Sequence, residues 1–148
     1  MKSLLDKHVR EELFARITLL NDNSNPQWGK MNVYQMLWHC TKWDDMMLGR
    51  MKVKQMFLGR LFGKRALKNV LKDEAMLGRN APTAAELLMK DRAGDIAMQK
   101  AALIKGISEY EYYDFAHSIH PFFGAMTREE VGRFAYKHLD HHLRQFGV

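Results

Sequence analysis

Proline occurs only three times, at Pro26, Pro82 and Pro121, and this scarcity constrains the fold more than any other single feature. A proline inside a helix removes a hydrogen bond and clashes with the preceding turn, so long proline-free stretches leave room for long helices. A turn-rich β fold needs more frequent punctuation. Eleven methionines point the same way, because flexible thioethers fill irregular gaps between packed helices. At 148 residues the chain has the size of one domain and can bury a substantial core. With 47% hydrophobic and 27% charged residues, its composition is that of a globular protein and argues against disorder. Cys40 is the single cysteine, so no intrachain disulfide is expected. No apolar run approaches the roughly 18 residues of a membrane span and no signal pattern opens the chain, so a reducing cytoplasm is the expected location.

Apolar periodicity predicts a first helix over 3–20, with Leu5, Val9, Leu13, Ile17 and Leu20 on one stripe. The turn formers from Asn21 to Pro26 stop it. A second helix is predicted over 32–50, opened by Asn32 as N-cap and apolar nearly all round, which suits a helix with several neighbours. Residues 51–90 carry weaker signals: a short helix over 57–72, then a loop through Gly78, Arg79, Asn80, Ala81 and Pro82. A third long helix is predicted over 91–113, with Ile96, Leu103, Ile107 and Tyr110 inward, although Gly94 and Gly106 weaken it. Pro121 and Gly124 oppose helix within 116–125. The fourth helix opens at Thr127, with Glu130 three residues on as a capping box, and ends near Phe146, just before Gly147. The pattern is all-α, in one domain covering 1–148.

The fourth helix carries the chemistry. At 100° per residue, His142 falls about 40° from His138, and Val131, Phe134 and Ala135 lie within about 60° of it. Two histidines one turn apart thus share the apolar face, while Arg133, Lys137, Asp140 and Arg144 occupy the opposite side. Imidazoles buried in an apolar stripe need partners for their ring nitrogens. Separate hydrogen bonds are one solution, and a shared metal ion is the other. His39 tips this choice toward the metal, because it shares an inward stripe of the second helix with Asn32, Gln35, Met36, Trp43 and Met46. Facing helices of a bundle can bring such groups together. Three neutral imidazoles with a fourth position left to water is the ligand count of a catalytic site. Nitrogen ligands suit zinc, nickel, copper or iron alike.

The segment Tyr136-Lys137-His138-Leu139-Asp140-His141-His142-Leu143-Arg144-Gln145 resembles the closing His-x-x-His-His-x-x-Gln signature of the DinB-like (DinB/YfiT-like) metalloenzyme superfamily. Leu37-Trp38-His39-Cys40 resembles that family's second-helix histidine, and Trp28-Gly29-Lys30-Met31 and His120-Pro121-Phe122-Phe123-Gly124 are similar to one of its branches. The resemblance covers nearly the whole chain and is least specific over 51–90. It implies a DinB/YfiT-like four-helix bundle with an extra short helix or loop between helices two and three. It further implies one divalent metal on His39, His138 and His142 (zinc or nickel ahead of iron, manganese or copper), frequently in a homodimer. In better understood relatives such a site handles low-molecular-weight thiols, so a thiol-dependent S-transferase, isomerase or hydrolase is the activity implied.

Other residues have plainer expectations. Gln145, about 20° from His138 on the helical wheel, is placed to orient a ligand imidazole. His141, about 60° away at the edge of the stripe, suits hydrogen bonding beside the ligands rather than ligation. His120 is the weak candidate for an acid/base, with ordering of its loop as the favoured role. Cys40 projects about 100° from His39 and is expected to be a small core residue; Trp43 and Met46 are expected to wall the site. The formal charge of +6 is unevenly spread: 50–72 contains eight basic residues and no acid. That block is expected to be a solvated face of an amphipathic helix whose interleaved apolar residues pack inward. The alternative is a non-catalytic nucleic-acid-binding module or stress-related scaffold using 50–72, with nucleic acid disfavoured as a partner and no membrane partner expected.

Overall fold

The computed structural model describes every residue except Asn80, Pro82 and His117. Among the described residues five α-helices carry the fold: α1 Lys7–Leu19, α2 Val33–Met47, α3 Phe57–Val70, α4 Ile96–Ser108 and α5 Arg128–Gln145. Short 3₁₀ turns lie at Ala85–Leu87 and Glu109–Glu111, and the two-residue strands β1 (Ile119–His120) and β2 (Gly124–Ala125) pair antiparallel.

The helix ends follow their capping residues. Asp6 is extended and its side chain accepts from the His8 amide, so α1 begins at Lys7 rather than at residue 3. Asn32 and Gln35 form a reciprocal capping box, which opens α2 where expected. That helix stops at Met47, short of residue 50, because Gly49 adopts φ +71, a conformation that ends a helix. Asp95 caps α4 through the Met98 amide, so the predicted helix over 91–113 contracts to Ile96–Ser108 and tightens into the second 3₁₀ turn. Thr127 and Glu130 form the predicted capping box of α5. The loop containing Asn80 and Pro82 falls partly outside the described residues.

Contacts run from α2 to α4 and α5, and from α1 to α4 and α5, closing a ring of four helices as a four-helix bundle requires. Leu13, Ile17, Met36, Leu37, Met47, Leu103, Ile107, Val131 and Leu143 fill its centre. Helix α3, at 14 residues as long as its neighbours, lies outside the ring and packs on the β-hairpin. In that hairpin His120 Nδ1 accepts from the amides of Phe122 and Phe123, both at 3.1 Å, which folds the chain back between the strands.

α5 is more enclosed than its amphipathic pattern suggests. Lys137 and Asp140, expected on the side away from the core, are 6% and 8% exposed. Lys137 Nζ donates to the carbonyls of Val70 and Asp73, and Asp140 pairs with Arg16 and Arg144, each at 2.8 Å. The chain following α3 and the helix α1 thus cover the polar side of α5, which a single-helix wheel does not reveal.

Candidate metal centre

α2 contributes His39 and α5 contributes His138 and His142, and one ring nitrogen from each lies within 4.8 Å of the others. The closest approach is His39 Nε2 to His138 Nε2, 3.1 Å. Two nitrogens on one zinc-type ion at about 2.0–2.1 Å would be separated by about 3.3 Å at tetrahedral angles, so His39 and His138 are already spaced to share one.

Hydrogen-bond partners fix two of the three tautomers. His39 Nδ1 lies 3.0 Å from the Leu87 carbonyl, which can only accept, so Nδ1 carries the proton and Nε2 presents a lone pair to the cluster. A two-step relay does the same for His142. Gln145 Nε2 donates to the Trp28 carbonyl at 2.7 Å, which turns Gln145 Oε1 toward His142 Nδ1 at 2.9 Å. An amide oxygen only accepts, so His142 Nδ1 is the donor and its Nε2 is the free lone pair. Trp43 stacks on the third ring, His138, with centroids 4.8 Å apart.

Electrostatics keep the cluster neutral. Burial lowers the pKa of all three histidines, and for His138 and His142 the neighbouring imidazoles add to the effect. His142 is brought down to about 3 despite the opposing Gln145 hydrogen bond. Neutral imidazole is the form that ligates a metal. His39 and His142 are buried, and His138 is the most exposed residue of the three. Among the described residues no carboxylate or cysteine joins the group. The donor set therefore fits a divalent cation held by three nitrogens with a position left over.

The other expected residues divide. Gln145 sits where it orients His142, as the wheel placed it. His141 is buried edge-on to both Trp28 and His142, but its Nδ1 has no hydrogen-bond partner among the described residues. His120 is 6.4 Å from Trp43 between ring centroids and is lowered to about 4 by burial. With Nδ1 accepting from two amides, its proton sits on Nε2, so it orders its loop and is not poised as a base. Cys40 is a core residue with its thiol pushed well up by burial. Met46 is in the core. The carbonyls of Leu87 and Trp28 were not identified from sequence, since backbone acceptors on loops leave no residue signal. A surface groove of about 460 Å³ between α2 and α4 is lined by Trp38, Lys42, Asp45, Arg50 and Lys105 and contains none of the three histidines.

A family model described as the DinB superfamily matches residues 7–146, nearly the whole chain. The chain belongs to the DinB superfamily. No curated protein and no solved structure gives a significant match. Membership in this superfamily agrees with the helical fold and with a histidine cluster able to hold a metal.

Proposed function

We propose that this DinB superfamily protein is a metal-dependent enzyme whose His39, His138 and His142 hold one divalent ion, zinc or nickel before iron, manganese or copper. The reaction we assign is transfer or rearrangement at the sulfur of a low-molecular-weight thiol, in a cytoplasmic protein that forms homodimers. The observation that carries it is the pair of fixed tautomers: Leu87 and Gln145 hold protons on the outer nitrogens of His39 and His142, which leaves their inner nitrogens as lone-pair donors in a cluster no wider than 4.8 Å. Bound there, a divalent ion supplies Lewis acidity and lowers the pKa of a water or thiol. The protein residues do the rest. Gln145, anchored on Trp28, keeps His142 from rotating, and Trp43 holds the plane of His138. His120 offers an Nε2–H donor near this wall, suited to hydrogen-bonding a substrate rather than to abstracting its proton.

A catalytic ion needs an exchangeable position, so the protein loaded with cobalt should change its visible absorption when a small thiol or azide is added. A spectrum indifferent to every small ligand would make the site structural and remove the enzymatic assignment.

A further inference from the structure

Helix α3 reverses the usual relation between helix faces. Its buried residues are Gly59, Gly63 and Leu67. A Cβ at either glycine would collide with the Phe122 backbone, so the helix docks on the hairpin loop through a glycine groove. Such an inward face carries little apolar area. The large side chains are left outside: Phe57 is 73% exposed, Leu58 56%, Leu61 61% and Phe62 58%. At 100° per residue these four fill an arc of about 140° centred opposite the glycines. The expectation that the apolar residues of this segment pack inward therefore fails for these four.

The surroundings of this patch are cationic. Arg65 and Lys68 continue the same outward face one turn further on, Arg60 flanks it, and Lys52 and Lys54 precede it, all exposed. Among the described residues these five form no ion pair, and of the whole block only Arg50 and Lys64 do. Contiguous exposed apolar side chains of this size mark an interaction surface.

We infer that α3 is a docking surface for an anionic lipid bilayer, with Phe57, Leu58, Leu61 and Phe62 entering the headgroup region and the surrounding lysines and arginines against the lipid phosphates. Charge selects this occupant. A symmetric contact with a second copy would oppose the eight cations of 50–72 to the same eight cations, with no acid in the segment to relieve them. A nucleic acid backbone matches the cations but leaves Leu58 and Leu61 facing water. An anionic bilayer satisfies both components at once, as for basic amphipathic helices that lie in the interface. No helix among the described residues is long and apolar enough to cross a membrane, so the association is peripheral.

The test is co-sedimentation of the full chain with vesicles of phosphatidylcholine alone and with about one-third phosphatidylglycerol, at low and high salt. Binding should require the anionic lipid and weaken as salt rises. The exposed pair Phe57→Ser with Leu61→Ser should lower partitioning at least tenfold while the melting temperature stays unchanged. Arg65→Ser with Lys68→Ser should lower it by about 25-fold, roughly fivefold per cation. Equal binding to neutral vesicles, or binding to neither type, overturns the inference. So does concentration-dependent dimerisation abolished by Leu61→Ser, or nucleic-acid binding that depends on the cations but not on Phe57 and Leu61.

Discussion

Asp44 and His142 are about equally deep in the core, 4% and 7% exposed, yet their surroundings complete them differently. Asp44 Oδ1 accepts from the Tyr110 hydroxyl at 2.8 Å, while Oδ2 has no hydrogen-bond partner among the described residues and lies against Gly106 of α4. Burial raises its pKa to about 8, so this carboxyl takes up a proton and the cluster is closed. His39 and His142 are satisfied on their outer nitrogens, which leaves their inner ones to one another and to His138. A lone proton can bridge His39 and His138, but it cannot serve three converging nitrogens, whereas a metal ion can. Burial and shifted pKa values mark both places. Convergence of lone pairs marks only the metal centre.

The largest test of this contrast is the proton on Asp44. Its folded pKa lies above its ordinary 3.8, so the folded state binds the extra proton, and the contribution to stability falls as pH rises from about 4 to about 8. Asp44→Asn keeps an acceptor for Tyr110 and removes the ionisation. The variant should gain on wild type by about 1.5 kcal/mol in denaturant titrations as pH rises from 6.5 to 8, at up to about 1.4 kcal/mol per pH unit. A gap that does not change with pH would mean that Asp44 is ionised in the fold and that the two polar clusters do not differ as described.

A smaller effect sharpens the other half of the comparison. Gln145→Leu removes the group that fixes the His142 tautomer but leaves all three ligands in place. Competitive metal titration should give about 10–100-fold weaker binding with unchanged stoichiometry. Unaltered affinity would show that the hydrogen bond to His142 is incidental.

How much of this was legible in the sequence varied with the physics of each segment. The bounds of α5 were readable, because its capping box and apolar stripe are local signals. The closeness of His138 to His142 followed from helical spacing alone, but bringing His39 to them needed α2 against α5, which periodicity does not encode. Asp44 was seen only as a side chain pointing away from His39; its burial depends on Tyr110 and Gly106 from the far side of the core. α3 had its bounds predicted nearly correctly and its orientation inverted. A hydrophobic stripe ordinarily points inward, and only close approach to the Phe122 backbone, a tertiary fact, makes the glycine side the buried one. The covered lysine and aspartate of α5 were missed for a similar reason, since their partners lie beyond Val70 and on α1.

Metal content tests the central claim most directly. Purified protein reconstituted with a divalent ion at neutral pH and freed of excess should retain close to one equivalent by elemental analysis. His39→Ala, His138→Ala and His142→Ala should each lose it. Retention should persist below about pH 6 and fail only as the pH approaches about 3, because burial holds the metal-free imidazoles below their ordinary range and delays their competition with the metal. Protein that holds no stoichiometric metal under these conditions, or that retains it after any one of the three substitutions, would contradict the account.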